Sequence, residues 1–501
     1  MAAISFERKL RLVNIKDDEN LSFRETSART GIPKSTIHDN IANYRQEVEA
    51  FRTATETDPI ERLVRTSLTL GMNGKCSSRD SASVMAEIWG ISISHQTILK
   101  IMELAADVAV ELNQELDLSD VNIALFDEIF QNQKPLLVFA SANSAIINMQ
   151  ASQDRSGDSW EAFLKSMQKL GLDPTSIVTD GGKGMLKAIK SVFEASTIIR
   201  DLFHVLKKIN KATRIMENYC YRLLAKAYKL SNKGDAEAAQ KVMTSFDEAA
   251  ILFDSCEKIV SRFKLACYLD HSEGGEGFVG SMALMAITSN LEGVLSEFMV
   301  KFSNHRAVKE ARDYLKNGAN EIAAYKDKIE TLVEQAFGKQ YKSMILEHLS
   351  PLIEYINQYF RARDNVAGKT FWGRKIADLR AKFRSYKVID QDEVDRAINA
   401  IWAIGQQVCK SNSLMESVNS VIRAFLNTYK TIPSWFCPLF TFYWNNREFE
   451  RGKRAKQSPM EIHSGEKSRN WIDRIVENFP FDKLRSSLPA IAGFYMQNGM
   501  K

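Results

Sequence analysis

Two aspartates that each close an apolar run are the residues best placed to do chemistry in this 501-residue chain. Asp127 follows Ile123-Ala124-Leu125-Phe126, with Glu128 directly after it, and Asp180 follows Ser176-Ile177-Val178-Thr179. A carboxylate left unpaired in an apolar interior is expensive. Either the strands emerge into water at these acids, or the acids hold something positive. Behind Asp180, Gly181, Gly182 and Gly184 remove side-chain bulk, which lets a phosphate and a metal approach the backbone. Alternation along a strand sends Glu128 to the face opposite Asp127, so the two acids serve different faces of the sheet. A third acid comes late, in "CKSNSLMESVNSVIRAFLNTYK" (409–430). The segment reads as an amphipathic helix with Leu414, Val418, Val421 or Ile422, and Phe425 on its apolar stripe. Glu416, Asn419, Ser420 and Arg423 fall on the polar face opposite.

The elements that must position these acids follow from the hydrophobic pattern. Residues 121–150 read as three strands in a meander, the last two being "KPLLVFAS" (134–141) and "AIINMQ" (145–150). An amphipathic helix follows, capped near Ser156–Ser159, with Trp160, Phe163, Leu164 and Met167 inward. A fourth strand spans Ser176–Thr179, and a fifth runs to Asp201 and into a helix that carries His204. Meandering strands followed by alternating helices and strands imply an α/β unit with a mixed sheet. From about 210 to 405 the pattern changes to long segments of helical period with one proline, Pro351, and reads as an all-α insertion.

The N-terminal 118 residues contain two helix-turn-helix patterns. The first (1–55) pairs a helix near Phe23–Thr30 with a turn at Gly31 and a second helix from Lys34. Ile32, Ile37 and Ile41 would face inward, leaving Lys34, Thr36, His38, Asn40 and Asn43 to reach a major groove. The second (56–118) places Val84, Met85 and Ile88 inward, turns at Gly90, and continues with Ile98, Leu99 and Met102 inward. His95, Gln96, Thr97 and Lys100 would be exposed for reading DNA. Between the two, "TATETDPIE" reads as a linker.

Composition describes an ordinary globular chain, 45% apolar and 26% charged, with no apolar run long enough to span a bilayer. The opening "MAAISFERKL" lacks the apolar core of a signal peptide. Six cysteines without a C-x-x-C pair argue against a zinc knuckle or a disulfide framework and fit a reducing compartment. The net charge is only +5, but from Lys410 onward there are fourteen Lys/Arg against eight Asp/Glu. The run containing Arg451, Lys453 and Arg454 lies there, a candidate phosphate-contact surface.

Together these features resemble the DDE transposases with an RNase H-like catalytic domain. Three marks carry the resemblance beside the acids: "DLFH" (Asp201 to His204), similar to the C/D-x-x-H signature of the Mutator-like and hAT-like groups; the helical insertion before the glutamate; and "FYWNNREFERGKRAKQSPMEI" (441–461). The resemblance implies an RNase H-like domain in two parts, 119–209 and 406–462, interrupted by an all-α insertion at 210–405 and followed by a tail at 463–501. It implies Asp127, Asp180 and Glu416 as the catalytic triad, holding two Mg²⁺ ions with Mn²⁺ as a substitute, because hard cations take oxygen ligands. His204 is then expected beside the active site rather than as a plain structural histidine. Lys183, Asn419 and Arg423 are expected on the DNA backbone, and Trp372 on an unpaired base. The implied partners are double-stranded DNA, as terminal inverted repeats and target, and further copies of the chain; no membrane is expected. The implied setting is a prokaryotic cytoplasm or nucleoid, or a nucleus. Two rivals remain at this point: a non-catalytic DNA-binding relative, and an RNase H-like nuclease without strand transfer.

Overall fold

The computed structural model describes residues 12–13, 15–16, 21–42, 58–90, 93–269, 278–348, 350–362, 365–384, 391–429, 431–450 and 454–487. The chain divides into two compact units, Met1–Val108 with Arg469–Lys501, and Ala109–Ser468.

In the first unit, helix α1 (Phe23–Thr30) starts with a capping box between Ser22 and Glu25 and stops at Gly31, whose φ of 67° suits glycine. Helix α2 (34–42) turns Ile37 and Ile41 against Leu12, with Phe23 and Ile32 packed on them. The segment read as a linker is helical in its last three residues, and its residues 53–57 lie outside the described ones. Asp58 caps helix α3 (Pro59–Leu68), and Pro59 occupies a first turn where its missing N–H costs nothing. A π-helical turn, Thr69–Asn73, continues it. Helix α4 (Ser78–Trp89) ends at Gly90 with φ 63°, and helix α5 (His95–Asn113) follows. Two side chains here reverse their expected places: Ile88 is 66% exposed and Thr97 only 5%. Thr97 tolerates burial because its hydroxyl lies 3.0 Å from that of Ser94, which also accepts its backbone N–H.

The second unit is built on a five-stranded mixed sheet: β1 (Ile123–Gln131), β2 (Lys134–Ser141), β3 (Ile147–Ala151), β4 (Ser176–Thr179) and β5 (Thr197–Arg200), in the order β3-β2-β1-β4-β5. The meander β1-β2-β3 is antiparallel, while β4 and β5 add in parallel to β1. The β1–β2 turn is Asn132-Gln133, both with positive φ, the hand that matches strand twist. The first strand does not end at the acids, as its apolar run suggests. It continues to Gln131, with Asp127 opposite Val138 and Glu128 opposite Leu137. What stops there is the ladder to β4, whose last rung pairs Phe126 with Thr179. Asp127 and Asp180 are the next residue beyond that rung on either strand.

One face of the sheet, with Phe126, Phe139 and Ile177, is covered by helices α6 (Gly157–Lys169) and α7 (Lys183–Val192). Trp160 is fully buried at its centre, with ring edges toward Phe126 and Phe163. Four long helices follow: α8 (Leu202–Asn232), α9 (Ala236–Ala266), α10 (Ser281–Lys301) and α11 (Arg306–Phe337), the last packing against β5. Shorter helices α12 (Lys339–His348), α13 (Ser350–Arg361), α14 (Val366–Arg384) and α15 (Gln391–Gln406) lead to α16 (Ser413–Thr428) and α17 (Phe436–Asn446).

The aromatic-Trp-Asn-Asn-Arg stretch is a fastening for β3. Trp444 Nε1 donates to the Ala145 carbonyl at 3.0 Å, and Asn445 grips both backbone groups of Ile147, accepting its N–H at 2.8 Å and donating to its carbonyl at 2.9 Å. Arg447 lies over the Trp444 ring. Ser458 and Glu461 form a capping box on helix α18 (Pro459–Ser464), so the acid of "SPME" satisfies a helix end. Among the described residues no helix is long and apolar enough to cross a membrane.

Candidate active site

Asp127 stands 7% exposed on the sheet face opposite Trp160. Its Oδ1 accepts the Glu128 N–H at 2.8 Å, and its Oδ2 accepts the Asn419 side-chain amide of α16 at 2.7 Å. Burial, and then the charge of Asp180, push its pKa up to about 6 against these hydrogen bonds. Glu128 looks to the other face, where Trp160 Nε1 donates to it at 2.9 Å and Arg155 stands 3.5 Å away. Burial is the main cause that raises its pKa also.

Asp180 is half-buried and accepts the Gly182 N–H at 3.0 Å. Its main chain is pinned from behind. Tyr314 of α11 donates its hydroxyl to the Asp180 carbonyl at 2.6 Å, and Arg200 reaches the same oxygen at 3.3 Å. Arg200 is held in turn by Glu321 at 2.7 Å and lies over the Tyr314 ring. Gly181 has φ 83°, and a Cβ there would fall within 1.2 Å of the Arg200 guanidinium, so only glycine fits. No sequence pattern announces Tyr314, Arg200 or Glu321 as a group, because their partnership spans more than a hundred residues.

Asp201 explains the D-x-x-H spacing. Fully buried, it caps α8 through the Phe203 N–H, accepts the Asn412 backbone N–H at 3.1 Å, and takes the His204 Nδ1–H at 2.7 Å. One carboxylate therefore starts one helix, tethers the entry to α16 and orients the imidazole. Asn412 adds a second tether, donating its side-chain amide to the Phe126 carbonyl at 3.3 Å. His204 Nε2 then lies 3.9 Å from Glu416, and Arg423 lies 3.9 Å from the other oxygen of the same carboxylate. The hydrogen bond to Asp201 raises the pKa of His204, and the charges of Asp201, Asp127 and Asp180 add to it.

The remaining candidates separate. Asn419, expected on DNA, is 2% exposed and bonded to Asp127, so it faces the sheet and not the polar side of α16. Arg454 donates to the Ala142 and Asn143 carbonyls of the β2–β3 turn, which occupies the group expected on phosphate. Trp372 on α14 is half-buried against Tyr355 and Phe371. Lys183 is exposed at the start of α7. On α2, Lys34 and His38 are exposed, while Thr36 and Asn40 are half-buried and linked by an intrahelical hydrogen bond of 2.6 Å. On α5, Gln96 and Lys100 are exposed and His95 is half-buried. Asn43, Arg451 and Lys453 lie outside the described residues.

Two acids thus stand at the end of one parallel ladder, and the histidine of the D-x-x-H pair lies 3.9 Å from a third. Residues 136–266 match the family described as transposase, Mutator family. The match supports a transposase. It covers about a quarter of the chain and contains Asp180, Asp201 and His204, but not Asp127 or Glu416. No curated protein matches the chain. Among the described residues no three His, Cys, Asp or Glu side chains stand close enough to hold a metal ion as placed. The donor types nonetheless fit a hard dication. They are carboxylate oxygens, and Asp127 and Asp180 oppose each other's charge, a repulsion that a cation relieves.

Proposed function

We propose that this chain is a DNA transposase of the DDE type, with an RNase H-like catalytic domain, that cleaves transposon ends and joins their 3′-OH groups to target DNA. The observation that carries the reading is the placement of Asp127 and Asp180 one residue beyond the last β1–β4 rung, in a sheet of order β3-β2-β1-β4-β5. The Mutator-family match over 136–266 supports the same class. Asp127, Asp180 and Glu416 would hold Mg²⁺, two ions per site with Mn²⁺ as a substitute. When bound, the ions activate the attacking hydroxyl and neutralise the leaving oxygen.

The chain's own residues prepare that site. Asn419 and the Glu128 N–H fix both oxygens of Asp127. Tyr314 and Arg200 fix the main chain of Asp180. Asp201 fixes His204, whose Nε2–H, favoured by its raised pKa, donates to a phosphate oxygen beside Glu416. The N-terminal unit reads the terminal repeats, with α2 and α5 entering the major groove as the second helices of helix-turn-helix modules. Each element has two ends, so a homodimer or larger assembly is the working form.

The test is a labelled duplex carrying the element's end, with and without Mg²⁺, for wild type beside Asp180→Ala. Nicked and strand-transferred products only for wild type with metal support the proposal. Binding without cutting by either protein turns it into a non-catalytic DNA-binding protein. Nicking without joining reduces it to a nuclease. Cutting that survives Asp180→Ala places the active site elsewhere.

A further inference from the structure

Helix α8 begins at the candidate site, with Asp201 as its cap and His204 in its first turn, and runs for 31 residues. It carries seven Lys/Arg and a single acid, Glu217. At 3.6 residues per turn, Lys207, Lys211, Arg214 and Lys229 share an arc of about 100°. All four are exposed. Phe203, Tyr221 and Tyr228 fall in the same arc and are 49%, 60% and 69% exposed, although aromatic rings of this size are normally covered. Among the described residues none of the four cations forms an ion pair with a carboxylate. Glu310 of α11 feels Lys211, but it is bonded to Arg306 at 2.7 Å. The opposite side of α8 is ordinary core, with Val205, Ile209, Ala212 and Met216 buried.

We propose that this stripe of α8 is a track for the DNA duplex leaving the cleavage site. The inference rests on the reading of the site as DNA-cleaving. Cations without ion-pair partners suit phosphates, the Tyr228 hydroxyl donates to a phosphate oxygen while that of Tyr221 is turned to Glu217 at 3.4 Å, and Phe203 beside His204 meets the bases next to the nick. The helix is ~46 Å long at 1.5 Å per residue, which matches roughly 13 base pairs at 3.4 Å each. A protein partner would call for a drier stripe with complementary acids nearby, and a basic surface studded with aromatic groups favours nucleic acid over it.

The experiment measures binding of the full chain to end duplexes whose flank is shorter or longer than ~13 base pairs, across a potassium chloride series. Wild-type affinity is expected to rise with flank length up to that limit. The triple variant Lys207→Ala/Lys211→Ala/Arg214→Ala is expected to lose that gain, and its slope of log affinity against log salt should fall by about 2.7. Restoring charge with Lys207→Arg/Lys211→Arg in place of the alanines should recover most of the slope. An unchanged slope and flank dependence in the triple variant would overturn the proposal, as would equal competition by an RNA duplex. Binding does not require cutting, so absence of nicking in wild type counts against the catalytic reading while the flank series still judges the track.

Discussion

At the scale of single residues, the candidate site depends on side chains that look unremarkable in the sequence. Asn419 falls on the polar side of an idealised helix wheel, yet its amide is one of two donors to Asp127. Asn419→Leu is expected to leave the buried carboxylate short of a partner and to cost about 1–3 kcal/mol in a urea melt, along with the nicking activity. A surface position would cost less than about 0.5 kcal/mol, and that result would remove Asn419 from the site. A second prediction concerns Asp154, which receives hydrogen bonds from Ser156 and Ser159 at the start of α6 and whose pKa is lowered from 3.8 to about 2. A carboxylate depressed in the folded state stabilises above its unfolded value and loses that contribution as pH falls through the folded one. Asp154→Ala should therefore melt below wild type at pH 6, and the difference should shrink as pH drops from 3.8 toward 2. A difference that stays constant across that range would mean the charge is not the source.

At the scale of elements, the long helix α11 bears directly on the loop that carries Asp180. Tyr314, Arg200 and Glu321 form a brace whose far end is the carbonyl of Asp180. Tyr314→Phe removes one hydroxyl and keeps the ring under Arg200. Outer hydrogen bonds of this sort typically change activity 10–100-fold, so the variant should nick about tenfold more slowly. Faster amide exchange at Gly181 and Gly182 would accompany that loss. Slower nicking with unchanged exchange would mean that the brace does not act through the loop. Much of the element pattern was legible beforehand, because "KPLLVFAS" and "SIVT" are continuous apolar runs bounded by turn residues. The continuation of β1 through Asp127 and Glu128 was hidden, since charge in an apolar run reads as its end. Pairing with β2 keeps that segment a strand, and pairing is not a local property. The exposed Ile88 and the buried Thr97 depart from the hydrophobic pattern for a related reason, because burial follows the neighbours and not the side chain's polarity alone.

At the scale of the whole molecule, Asp127 and Asp180 are set side by side by a sheet whose central strand is β1 and whose outer strand on one side is β3. An outer strand of five residues carries N–H and C=O groups that a strand from another molecule could satisfy. Asn445 forestalls this at Ile147. Its carboxamide presents the same donor and acceptor as a peptide unit, so the sheet meets an imitation of one more strand that leads nowhere. Asn445→Asp keeps the acceptor and loses the donor. Light scattering should then show concentration-dependent growth of aggregates rich in β-structure, under conditions where wild type stays dispersed. If the chain works as the proposed assembly on DNA, that imitation separates two kinds of self-association: assembly directed by the nucleic acid, and the open-ended stacking that a bare strand edge would invite.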